Sequence, residues 1–108
     1  MSLVAALRAY LAPRAATGER VTYRQVAQDL AVPGPGSIQI VAQALEIMMQ
    51  QDVLAGRPLL AALVVSRVHN LPAAGFFQTA QALGFDTTDP AAFHAAQIAA
   101  LGKPAPLP

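Results

Sequence analysis

Two arginines, two glutamines and a tyrosine are the side chains of this sequence best suited to chemistry, and that chemistry is recognition. Arg24 and Arg67 are permanent cations that can neutralise phosphate. Gln39 and Gln43 lie four residues apart, so on a helix they share a face. A glutamine amide can bond adenine bidentately in a major groove. Tyr23 offers either a ring packed on the core with its hydroxyl in water, or a contact to a backbone phosphate. Arg20, Arg24 and Arg67 either cluster beside a wing and touch phosphates or stand as three solvated cations. Gln39, Gln43, Glu46 and Gln50 form one stripe at helical spacing. Glu46 in its middle repels phosphate, so the stripe also suits the wet face of a helix or half of a protein contact.

Catalytic arrangements are harder to assemble. The chain has no cysteine, which removes disulfides, thiolate nucleophiles and Cys-based metal sites. His69 and His94 lie far apart, with no acid at ligand spacing, so no zinc site is expected. Ser66 and His69 lack an acid to orient the imidazole. Glu19 and Asp86 have no partner for paired-carboxylate work. Gly34-Pro35-Gly36 lacks the Gly-Lys-Ser/Thr ending of a phosphate loop, and Pro35 removes an amide donor. His94 is expected at the surface.

The elements that must position these residues follow from periodicity and caps. Ser2 caps a first helix over residues 3–11, apolar at Leu3, Val4, Leu7 and Leu11 and ended by Pro13. Thr22 caps a second over residues 23–30, with Tyr23, Val26, Ala27 and Leu30 on one face. Two Pro-Gly steps make a turn of residues 31–36. Ser37 is read as the cap of a third helix to about residue 51, turning Ile38, Val41, Ala42, Leu45, Met48 and Met49 to the core. Gly56 closes the loop after it. The apolar run 59–66 reads as a buried strand, and residues 68–72 as a short wing. A fourth helix over about 73–83 buries Phe76, Phe77, Ala80 and Leu83 and stops at Gly84. Asp89-Pro90 starts a fifth, to Leu101.

Composition narrows the class. The 108 residues suit one domain: residues 1–101 fold and 102–108 form a flexible, proline-rich tail. Hydrophobic residues are 55% and charged residues 12%, about half the usual charged share. The longest apolar run, 58–65, is far short of the ~20 residues of a spanning helix, and no basic leader opens the chain. A cytoplasmic protein with no membrane partner is expected, and its Ala, Arg and Pro usage suits a GC-rich bacterium. The net charge of +1 gives little general attraction for nucleic acid. So apolar a chain predicts a covered surface, with helix five (Phe93, Ile98, Leu101) and helix one as the surfaces.

Three segments together resemble the C-terminal DNA-binding domain of the alkylguanine-DNA alkyltransferases and the alkyltransferase-like proteins. Residues 18–27 (Gly-Glu-Arg-Val-Thr-Tyr-Arg-Gln-Val-Ala) are similar to the start of that family's helix-turn-helix. Residues 38–45 (Ile-Gln-Ile-Val-Ala-Gln-Ala-Leu) are similar to its recognition helix, and residues 63–72 (Leu-Val-Val-Ser-Arg-Val-His-Asn-Leu-Pro) to its strand and wing. The likeness covers residues 18–75 and implies the fold. The family's alkyl-acceptor cysteine falls near Ala61 and its neighbouring histidine near Ala62. The alkyltransferase-like tryptophan is missing, and the arginine inserted into the base stack falls at Gln39. Only Tyr23, which in the family rotates a phosphate, is retained. The resemblance thus implies the scaffold without alkyl transfer.

The expected fold is mostly α (α+β): a winged helix-turn-helix with one small sheet or wing and extra C-terminal helices. The expected function is a non-catalytic nucleic-acid-binding or regulatory domain. Duplex DNA is its partner, Tyr23, Arg24, Gln39, Gln43 and Arg67 are its contacts, and it uses no cofactor or metal. The alternative is an interaction or assembly module on the same scaffold, with DNA binding lost and a homodimer or another protein as partner.

Overall fold

The structure, a computed structural model, describes residues 2–103; the expected tail beyond Lys103 lies outside them. Helix α1 (Leu3–Leu11) begins where the Ser2 hydroxyl accepts a hydrogen bond from the Ala5 amide at 3.1 Å. At Pro13 the chain tightens into a 3₁₀ turn, Ala12–Arg14, because proline has no amide to continue the ladder. Strand β1 (Val21–Thr22) leads into α2 (Tyr23–Asp29), capped by the Thr22 hydroxyl on the Gln25 amide at 3.1 Å. Then come α3 (Ser37–Leu54), a 3₁₀ helix Leu60–Leu63, strand β2 (Val64–Val65), α4 (Ala74–Ala82) and α5 (Pro90–Leu101). The Asp89 carboxylate caps α5 through the Ala92 amide at 3.2 Å. Among the described residues no helix is long and apolar enough to cross a membrane.

The core is built around α3. Val41, Leu45, Met48 and Met49 meet Leu7 and Leu11 of α1, Val26 of α2, and the buried run from Leu59 to Val64. The mostly helical, α+β expectation holds, with a small sheet of two strands. That sheet is parallel, with Val21 opposite Val64 and Thr22 opposite Val65.

Several local expectations change. Residues 59–66 are not one strand: four of them coil as the 3₁₀ helix Leu60–Leu63, and only Val64–Val65 pair. A strand needs a partner, and in this parallel register residues 60–63 would fall opposite 17–20, of which Thr17 and Gly18 lie in a turn, so nothing extends the ladder on that side. A buried apolar run shows no period, which is why the sequence could not tell coil from strand. The wing segment is a loop in which the Ser66 amide donates to the Leu71 carbonyl at 2.7 Å and the Asn70 amide to the Ser66 carbonyl at 2.9 Å. No antiparallel hairpin forms there among the described residues.

Ser37 is the first helical residue of α3, not its cap. Gly36 caps it with φ +84 and no side-chain bond, a conformation glycine reaches without Cβ strain. The helix runs on to Leu54 because no breaker precedes Gly56. Ile38, expected inside, is 44% exposed, because it borders the hollow it shares with Arg24 and Gln28 of α2. Ala42 is half-buried, while Ala44 and Asp52 take inward positions. Phe76 and Ala80 of α4 are buried, with Phe77 and Leu83 only partly so.

His94, expected at the surface, is buried, its Nε2 2.8 Å from the Ala62 carbonyl. One turn on, the Gln97 side-chain oxygen accepts from the Leu59 amide at 2.9 Å. These two bonds fasten α5 to the 3₁₀ segment. The apolar residues of α5 are therefore not a free association surface: Phe93, Ile98 and Leu101 pack against the core. Phe93 also joins an aromatic cluster, its centroid 5.2 Å from Phe85 and 6.0 Å from Phe76.

This burial sets a pH dependence. Desolvation, chiefly, holds the His94 imidazole below its ordinary pKa; the nearby Arg20 charge adds to this and the Ala62 bond opposes it. A histidine whose folded pKa is depressed binds fewer protons when folded, so stability falls as pH drops below about 6.5. The urea midpoint should decline between pH 7 and pH 5, and His94→Gln should flatten that decline. Asp29, which accepts from the Tyr10 hydroxyl and the Gln25 side-chain amide, and Asp86, which accepts from Thr88, are held below the ordinary carboxylate range. Their losses come only at lower pH, leaving the His94 window clear.

Candidate nucleic-acid interface

The parallel register brings the two candidate arginines together. Thr22 is paired with Val65, and Arg24 and Arg67 lie two residues beyond each. Both side chains line one groove of about 740 Å³, together with Gln25, Gln28, Ile38 and Val68. No carboxylate is in that lining.

The molecule's other ion pairs explain how a chain of net charge +1 holds such a groove. Arg8 Nη1 and Arg57 Nε reach the Asp52 carboxylate at 2.8 and 3.1 Å, and Arg14 Nε reaches Glu19 at 3.0 Å. Asp29 is engaged by Tyr10 and Gln25, and Asp89 by the start of α5. These acids thus lie outside the groove lining, and of their side-chain partners only Gln25 belongs to it. Arg24 and Arg67 make no ion pair among the described residues. Net charge averages over this separation and hides it.

The glutamines occupy a neighbouring trough. Gln39 and Gln43 line a depression of about 500 Å³ with Gly36, Ala42 and Glu46, and Tyr23, Ile38 and Ala73 border both hollows. Both glutamines are exposed. The five candidate residues therefore form one continuous surface in two parts, a cationic groove and a polar trough that also holds the Glu46 carboxylate.

Tyr23 is the wall between them, and it takes neither expected role in full. Its ring is buried, and its hydroxyl oxygen accepts from the Ala73 amide at 3.0 Å instead of simply reaching water. Burial, chiefly, raises its pKa above the ordinary tyrosine value, so the hydroxyl keeps its proton at neutral pH. The bond ties α2 to the start of α4 and fixes the width of the trough. Arg20 does not join the cluster: its Nη1 donates to the Gly18 carbonyl at 2.9 Å, and its charge acts on His94.

Behind Tyr23 is a small, mostly apolar cavity of about 70 Å³, lined by Leu45, Glu46, Met49, Ala61 and Phe76 as well. Ala61 sits on the 3₁₀ turn at the cavity wall. No group of three or more metal-ligating side chains converges among the described residues.

Sequence reasoning missed a buried acid that ties three elements together. Asp52 is 1% exposed; its second oxygen accepts from the Leu60 amide at 3.2 Å. It clamps α1, α3 and the 3₁₀ helix that feeds β2 and so Arg67. The signal was present: Leu45, Met48 and Asp52 follow the three-and-four spacing of the inward face. Comparison with protein-family models, with curated proteins and with solved structures returns no match to this chain.

Proposed function

We propose that this chain is a non-catalytic DNA-binding or regulatory domain of winged-helix type, and that duplex DNA lies across the Arg24–Arg67 groove. The observation that carries this reading is the pair of arginines that make no ion pair among the described residues, on a groove whose lining there holds no carboxylate. The helix order and the resemblance to the alkyltransferase DNA-binding domain support it. In this reading Arg24 and Arg67 contact phosphates, fixing position but not sequence. Gln39 and Gln43 on the first turns of α3 face base edges. Tyr23 orients the groove wall, and its hydroxyl proton is the donor left for a phosphate oxygen.

The test is a titration against mixed duplex DNA at several salt concentrations. Few cations are present, so few counterions are released. The slope should be shallow, about two to four phosphates' worth at ~0.9 per phosphate. No binding at about 50 mM salt would defeat the reading.

The second reading is an interaction or assembly module that keeps the scaffold and does not bind DNA. It is favoured by the apolar residues that α3 exposes, Ile38, Ile40, Ile47 and Leu54, which suit a protein surface better than a phosphate backbone.

A further inference from the structure

Five large apolar side chains stand exposed among the described residues, and four of them belong to α3. Three of those four, Ile40, Ile47 and Leu54, recur at intervals of seven. At 3.6 residues per turn, seven residues are nearly two turns, so the three form one seam along the helix. Leu54 is 89% exposed and Ile47 47%. The buried face of the same helix, carrying Val41, Leu45 and Met48, points elsewhere. α3 therefore has one apolar face covered by its own fold and a second that is bare. Singly scattered apolar residues are ordinary on a surface; an aligned heptad row is not.

We infer that this seam is a contact between two copies of the chain, with the two α3 helices antiparallel about a two-fold axis at Ile47. The spacing selects the occupant. Ile40 and Leu54 stand seven residues either side of Ile47, so the row complements itself when reversed. Ile47 then meets the partner's Ile47, and Ile40 meets the partner's Leu54, as an isologous contact requires. Charge permits it: Gln43 and Gln50 flank the seam, while Glu46 lies on the side facing Gly75. Area sets the strength. Eighteen residues make a helix about 27 Å long, and one seam of that length covers about half of the ~1,600 Å² of a standard interface. The dimer is therefore weak and concentration-dependent, with a dissociation constant above about 1 μM.

The absence of cysteine gives a direct test on the full chain. Ile47→Cys should form a disulfide-linked dimer on mild oxidation. Ile40→Cys alone and Leu54→Cys alone should not, because like positions would lie fourteen residues, about 21 Å, apart along the pair. Mixing those two variants should restore the cross-link. In sedimentation equilibrium from micromolar to millimolar protein, the unmodified chain should shift from monomer to dimer. Ile47→Asp should weaken association at least tenfold with unchanged circular dichroism. A monomer across the whole range, or a dimer that Ile47→Asp leaves intact, would overturn the inference. So would a dimer in which Ile47→Cys fails to cross-link. No nucleic acid enters these measurements, so their outcome is separate from that of the DNA reading.

Discussion

Asp52→Ala is expected to lower the free energy of unfolding by about 3 kcal/mol. The carboxylate is inside, yet it accepts from Arg8 and Arg57 at one oxygen and from the Leu60 amide at the other. Removing it strands a buried amide, which costs about 1–3 kcal/mol, and deletes two charge-assisted bonds. The arginines themselves are not stranded. Their side chains are 30% and 52% exposed and recover water when the acid is gone. This keeps the total near the low end of the ~3–5 kcal/mol seen when a buried pair is broken. In urea the midpoint should fall with the slope unchanged, and the melting temperature should drop by about 12–20 °C. Asp52→Asn, which keeps the volume and an acceptor for Leu60, should lose about half as much. Equal losses in the two variants would show that packing, and not hydrogen bonding to the carboxylate, holds the 3₁₀ helix.

Reversing both groove charges, Arg24→Glu with Arg67→Glu, is expected to abolish DNA binding while leaving the fold intact. Both side chains are exposed and make no ion pair among the described residues, so their replacement removes nothing from the core. Counterion release gives the size of the effect. At about 50 mM salt each phosphate contact is worth roughly a decade of affinity, so losing two costs about a hundredfold before repulsion is added. Fluorescence anisotropy on mixed duplex DNA, beside a urea melt, reads both halves. Gln43→Ala should instead act on preferred sites alone. If the double reversal binds as tightly as the parent, the groove is not the DNA surface.

Much of the architecture was written locally. The cap–helix pairs at Ser2, Thr22 and Asp89 were legible because a short polar side chain before an apolar period satisfies amides within one turn. The boundaries of α1 and α5 follow from those caps together with Pro13 and Pro90. The glutamine stripe of α3 was equally readable, since four residues on one helix face need no knowledge of the rest of the fold. The heptad row of Ile40, Ile47 and Leu54 was written just as plainly. It stayed hidden because the expected helix ended near residue 51, which left Leu54 outside it and the row incomplete.

What composition concealed was the placement of charge. A net charge of +1 says nothing of which cations have partners, and the unpaired arginines emerge only when Asp52 and Glu19 are seen engaging Arg8, Arg57 and Arg14.

The sequence by itself thus determined the five α-helices, the caps at Ser2, Thr22 and Asp89, the absence of cysteine chemistry and the residue types on the α3 surface. All of these depend on contacts within a few residues. Only the tertiary structure decided that 60–63 coil instead of pairing, that His94 turns inward to Ala62, and that Arg24 and Arg67 share a groove. These depend on partners far along the chain: Val21 of β1 meets Val64 of β2 forty-three residues on, and His94 of α5 meets Ala62 thirty-two residues back. Such meetings form because burial is collective. Apolar surface leaves water wherever a matching face exists, and no local pattern records where that face will be.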